Sequence, residues 1–189
     1  MKIAIISASV RKGRNSHRVA LYLQNYVKDY TGAETEMLDL HQFNFPIFEE
    51  RLRLLENPPD DVKAFAAAIK NCDGVIMVTP EYNGGYPASL KNAVDLLYDE
   101  WRRKPVAIAT VSDGAFGGTQ VITSLQFSLW KMKAWTVPAM FPVPKVREAF
   151  DENGRATDGE ATNKRAKIFV DELIWCINAA QKMKQEENA

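Results

Sequence analysis

The stretch GVIMVTPEYNGGYPASLKNAVD, residues 74–95, decides how the chain folds. Its first five residues run through Val75, Ile76, Met77 and Val78, apolar on consecutive positions as in a strand buried on both faces. A Pro-Glu-Tyr-Asn-Gly-Gly turn follows. Pro87 then suits the first turn of a helix, where its missing N–H does no harm, and Leu90, Ala93, Val94 and Leu97 keep helical spacing. A mere connection needs no such care, whereas this one specifies backbone shape at nearly every position. Gly84-Gly85 permits positive φ and lets the main chain approach a flat ligand with no Cβ in the way. Pro80 and Pro87 fix the two ends of the loop. Glu81, Tyr82 and Asn83 either support the turn or contact a ligand.

The same alternation extends in both directions. KIAIISA (2–8) reads as a strand, and Val19, Leu23, Tyr26, Val27 and Tyr30 mark a helix after it. ETEMLDL (34–40) reads as a second strand with alternating sides, residues 41–58 as loop, and DDVKAFAAAIKNC (60–72) as helix. PVAIATV (105–111) is a fourth strand, residues 118–133 a helix, and WTVPAMF (135–141) a fifth strand. FDENGRATDGE (150–160) carries an Asn-Gly turn signal and a capping box from Thr157 to Glu160. A last helix runs from about 158 to 184, before a charged tail. Strands alternating with helices demand a parallel sheet with right-handed crossovers. Five of them in one domain over residues 1–189 predict an α/β, flavodoxin-like three-layer sandwich of strand order 2-1-3-4-5. Ligands then belong on the loops after strands 1, 3 and 4, around the switch point of the sheet.

Composition removes several function classes. Of the 189 residues, 46% are hydrophobic and 25% charged, an ordinary globular balance. Formal net charge is zero and the sequence pI is near 6.7, so no global field attracts nucleic acid or an anionic membrane. No apolar run approaches the ~20 residues of a membrane span, and MKIAIISAS reads as a strand rather than a signal peptide. Cys72 and Cys176 stand apart without a CxxC partner, as reduced structural thiols of a cytoplasmic protein do. With only His17 and His41 available, no metal site built on histidine is expected.

Two further loops share the character of the first. SASVRKGRNSHR (7–18) sets Ser9, Ser16, Asn15 and the cations Arg11, Lys12, Arg14 and Arg18 around a helix start, with Asn15 or Ser16 as N-cap. Free N–H groups and partial positive charge make such a start a ready phosphate site; the other reading of this loop taken alone is an ordinary solvated connection. GxxxxGK[ST] and GxGxxG are both absent, and so is the cysteine of a thiolate phosphatase. SDGAFGG (112–118) adds Ser112, Gly114 and Gly117 at the fourth strand.

These residues carry a resemblance. S-x-R-x-x-x-x-S from Ser9 to Ser16, PEYNGGYPASLKNAVD and SDGAFGG resemble the NAD(P)H-dependent FMN reductase family of flavodoxin-like proteins, over nearly the whole chain. The resemblance implies non-covalent FMN, hydride taken from NADPH or NADH, and ping-pong delivery to free flavin, quinone, azo, nitro or metal-oxyanion acceptors. It implies a homodimer or homotetramer with the flavin near a subunit interface. It puts Ser9, Arg11 and Ser16 on the flavin phosphate, with Asn15 and His17 counted beside them. Pro80, Glu81, Tyr82, Asn83 and Gly84 fall beside the isoalloxazine, and Ser112, Gly114 and Gly117 along its other edge. No side chain need act as acid or base. Ala8 stands where the family often has Gly, and Thr119-Gln120 where many members carry Arg. Arg14 and Arg18 are either partners for the extra phosphate of NADPH or surface arginines.

The aromatic residues Tyr86, Tyr98, Trp101, Phe116, Phe127 and Trp130 exceed what a five-stranded core needs, and some of them are expected at a homodimer interface beside the flavin, the alternative being that they line the core side of two helices. The rival reading is a flavin-binding electron carrier or sensor, a type usually strongly acidic, against which zero net charge argues. A receiver domain would need an acidic pair where Ser7-Ala8-Ser9 stands and an Asp near Thr79-Pro80.

Overall fold

The computed structural model describes residues 1–187. Five parallel strands, β1 (Lys2–Ser7), β2 (Glu34–Asp39), β3 (Gly74–Pro80), β4 (Pro105–Val111) and β5 (Trp135–Val143), form one sheet in the order β2-β1-β3-β4-β5. The helices are α1 (Ser16–Thr31), α2 (Asp60–Asn71), α3 (Ala88–Leu96), α4 (Val121–Lys131), the single turn α5 (Val146–Ala149) and α6 (Gly159–Glu187).

Consecutive residues of the central strands feed opposite cores. Ile3, Ile5, Ile76, Val78, Ala107 and Ala109 pack with α1 and α6. Ala4, Ile6, Val75, Met77, Val106 and Ile108 pack with α2, α3 and α4. The apolar runs read from the sequence are therefore covered on both faces, as parallel sheets require. Pro138, which has no N–H to give, sits on the edge strand β5 where the pairing register with β4 shifts between Val106 and Ile108.

Several expected boundaries move. Burial in β2 rises along the strand instead of alternating, because only its last residues reach the α2 side of the core. The helix expected from 118 begins at Val121, since Gly117 and Gly118 hold left-handed backbone with φ of 63° and 75°. It closes in a Schellman turn: Ala134 N–H donates to Leu129 C=O at 3.0 Å and Lys133 N–H to Trp130 C=O at 2.9 Å, with Lys133 at φ 60°. The capping box does not form. Thr157 donates its hydroxyl to Glu148 C=O at 2.6 Å, and Asp158 caps α6 by accepting the Ala161 N–H at 3.0 Å. That helix continues past Lys184 to Glu187, so the start of the expected charged tail is helical and its last residues lie outside the described ones.

Candidate active site

The loops after β1, β3 and β4 gather at the carboxyl ends of the strands, on both sides of the point where the chain's strand order reverses. The first is held from behind by a clamp between loop and sheet. Arg14 meets the Asp39 carboxylate with both guanidinium nitrogens, Nη2 to Oδ2 at 2.6 Å, and also donates to Ser9 C=O at 3.3 Å. Asp39 is only 2% exposed. Burial works against its charge, but the bonds from Arg14 and the His41 N–H outweigh that and hold the carboxyl below its usual range. His17 Nδ1 lies 3.0 Å from Ser7 Oγ and 3.8 Å from Asp39 Oδ2. Burial, helped by Arg14, pushes the His17 imidazole down. Arg18 donates to Phe150 C=O at 2.9 Å and lies 3.8 Å from Glu152. Arg14 and Arg18 are thus both engaged within the fold, and His17 turns one ring nitrogen inward.

What remains toward the loop's open side is a different set. Asn15 is the N-cap of α1, its side chain making no capping bond. Ser16, the first residue of that helix, is 3% exposed, and its Oγ has no hydrogen-bond partner. The Arg11 and Lys12 side chains are exposed and form no ion pair among the described residues. An unpartnered buried hydroxyl is uncommon in folded proteins and points to a group that the protein itself does not supply.

The second loop is a tight hairpin turn. Tyr82 N–H donates to Gly85 C=O at 2.8 Å and Gly85 N–H returns to Tyr82 C=O at 3.1 Å. Between them Asn83 and Gly84 have φ of 54° and 80°, the two left-handed positions of a type I′ turn. Positive φ therefore falls on Asn83-Gly84, not on Gly84-Gly85. The loop is tied to its neighbours. Tyr82 OH lies 2.7 Å from Ser9 Oγ, Glu81 N–H donates to Val111 C=O at 3.3 Å, and Ser89 at the start of α3 donates to Ala8 C=O at 2.7 Å.

In the third loop Ser112 Oγ donates to Gly114 C=O at 3.1 Å, and Lys145 N–H reaches the same carbonyl at 3.3 Å. Gly117 serves packing: a Cβ there would stand 3.1 Å from the backbone nitrogens of Val143 and Pro144. Gln120, of the Thr119-Gln120 pair that stands in place of an Arg, brings its Oε1 toward Gly84, 3.4 Å from where a Cβ would sit. Asp39 was not expected from the sequence. Its only signal was an acid ending a strand beside a loop of four cations.

The six aromatic residues divide. Trp101 is fully buried, its Nε1–H on Val94 C=O at 3.1 Å, and Tyr98 lies beneath Arg51 and Arg53 at 4.5 and 5.2 Å. Neither is available to a partner. Tyr86 is partly buried and bonds Ser128 Oγ at 2.8 Å. Phe116, Phe127 and Trp130 are 80%, 62% and 56% exposed. Among the described residues no helix is long and apolar enough to cross a membrane.

A family model described as NADPH-dependent FMN reductase matches residues 1–148. The chain is 34% identical over 174 residues to the NAD(P)H-dependent FMN reductase ntnL of Nectria sp, with 86% of each chain covered. It is 30% identical over 179 residues to a quinone reductase of Pseudomonas putida, covering 90% of this chain and 91% of that one. Among solved structures, FerB, a flavoenzyme NAD(P)H:(acceptor) oxidoreductase from Paracoccus denitrificans, superposes with TM-score 0.73 at 25% identity, covering 93% of this chain and 96% of that one.

Proposed function

The chain belongs to the NADPH-dependent FMN reductase family, and from that membership we propose how its three loops serve an FMN-dependent NAD(P)H oxidoreductase. The observation that carries the site assignment is the buried, unpartnered Ser16 hydroxyl at the start of α1. A hydroxyl and free N–H groups at a helix N-terminus suit a phosphate. Arg11 supplies a full charge to it, and Ser9 and Asn15 complete the seat. Arg14 and His17 act one layer behind, fixing the loop against Asp39 and Ser7.

The turn from Pro80 to Gly84 lies beside the isoalloxazine, and Ser112, Gly114 and Gly117 shape the opposite edge. The N–H groups of Asn83 and Gly84 stand outside the Tyr82–Gly85 bridge and are the donors offered to the ring. Fixed donors of this kind favour negative charge on the group they face. The bond between Ser9 and Tyr82 makes the phosphate loop and the ring loop one rigid unit. FMN, when bound, supplies the redox chemistry, taking hydride from NAD(P)H and passing electrons to an acceptor. The protein binds, orients and excludes water. One pocket serves donor and acceptor in turn, hence ping-pong turnover.

The acceptor is a small molecule of the free flavin, quinone, azo, nitro or metal-oxyanion type. The protein works in the cytoplasm as a homodimer or homotetramer. Support for the assembly comes from Phe116, Phe127 and Trp130, large apolar side chains left in water by the single chain. Direct reduction of bound FMN by NADPH or NADH, with no second protein, tests the enzymatic reading against that of a carrier.

A further inference from the structure

At the opposite end of the sheet a groove of about 880 Å³ lies between the starts of β4 and β5 and the last turns of α6. Six Lys and Arg residues line it against three carboxylates, in a chain whose formal net charge is zero. The carboxylates are already engaged. Asp73 accepts the Lys2 N–H at 2.7 Å and the Gln181 amide at 2.9 Å, Asp99 faces Arg53 at 3.5 Å, and Glu187 pairs with Arg103. Lys104, half-buried, points its ammonium at the carbonyls of Lys70 and Cys72. Lys70, Arg102 and Lys133 form no ion pair among the described residues, so the groove keeps a positive surplus.

The backbone adds an independent observation. Arg103 and Lys133 hold left-handed conformations, with φ of 58° and 60°, and Arg103 N–H donates to Lys133 C=O at 2.7 Å. Lys133 occupies the Schellman position where glycine is the usual residue. Two cations thus stand side by side on the groove wall in conformations that other residues would adopt at less cost. Strain of this kind concentrates where a side chain is used. Trp135, 37% exposed, provides an aromatic surface on the same wall. The volume falls within the range of small-molecule sites, and cations spread over three segments suit a ligand with several anionic groups. Arginine's planar fork matches phosphate oxygens in pairs.

We propose that this groove binds an oligophosphate through Lys70, Arg102 and Lys133, at a site separate from the three loops. Titration calorimetry on protein saturated with FMN tests it, since the loop above β1 then contributes no binding. Inorganic tripolyphosphate and ATP are the two probes, and both are expected to bind saturably and more weakly as salt rises. Lys133→Asn tolerates the left-handed backbone, so its melting temperature without ligand should not fall. Its affinity for both probes should drop about ten-fold. Lys70→Gln combined with Arg102→Gln should do the same while FMN binding stays unchanged. Trp135→Leu separates the sources: loss of affinity for ATP alone assigns a nucleotide, and no loss for either assigns the phosphate chain by itself. Absence of saturable binding for both probes, or affinities unaltered in the Lys133 and Lys70/Arg102 variants, overturns the proposal.

Discussion

A buried hydroxyl with nothing to bond to costs a folded protein stability, so Ser16 makes a sharp prediction. Leaving a buried polar group unsatisfied costs about 1–3 kcal/mol. Ser16→Ala should therefore leave the flavin-free protein as stable as before, or more so, while weakening FMN. If Arg11 holds the phosphate as proposed, Arg11→Ala should remove a charge-assisted contact of roughly 1.5–3 kcal/mol, about 10- to 150-fold in FMN affinity. Riboflavin lacks the phosphate and should bind both variants as it binds the wild type. Fluorescence titrations with the two flavins at one salt concentration check this, and equal losses for both would move the phosphate elsewhere. The clamp behind the loop predicts a pH response. His17 has its folded pKa lowered, so its contribution is present above about 6.5 and is lost as pH falls through the folded value. Asp39, also lowered, keeps its contribution until the pH falls through its own folded value, below about 3.9. Denaturant unfolding should thus show stability declining as pH falls below about 6.5, and His17→Asn should flatten that decline.

Among the elements, the Asn153-Gly154 turn ahead of α6 lies directly against the backbone of α1. Gly154 has φ of 78°, and a Cβ there would stand 2.7 Å from Arg18 C=O and 2.8 Å from the Tyr22 nitrogen. Gly154→Ala adds a left-handed penalty of about 1–2 kcal/mol to overpacking of about 1–3 kcal/mol. Its melting transition should fall accordingly, through the seam between α1 and α6. The Asn-Gly signal of that turn was legible in the sequence because only a few residues accept the backbone it needs. The five strands were legible for a related reason: burial on both faces leaves unbroken apolar runs in Ile3 to Ile6 and Val75 to Val78. The start of α4 was not, since glycines that open a loop and glycines that open a helix look alike without φ. The Thr157 box failed because a tertiary acceptor, Glu148 C=O, competed for its hydroxyl. Of the site, the three loops could be read from residue type and position. The Arg14–Asp39 clamp could not, because it joins a loop residue to the end of β2, 25 positions along the chain and beyond α1.

For the whole molecule, apolar surface left uncovered is the main clue to assembly. Phe127 and Trp130 on α4, Met140 on β5 and Trp175 on α6 are each more than half exposed around the free edge of the sheet. Patches of this kind mark interfaces. Light scattering at micromolar concentration should give a dimer or larger, and Phe127→Glu should shift it toward monomer; a monomeric wild type would remove the interface. Hydride transfer from nicotinamide to bound flavin can be followed in the flavin's own spectrum. Protein loaded with FMN is placed under anaerobic conditions, titrated with NADPH and separately with NADH, and followed by its visible flavin absorbance. At least one nucleotide should bleach the flavin in proportion to the amount added, with no other protein present. A flavin band that persists through excess of both nucleotides, or a protein that takes up no FMN, would contradict the proposed function.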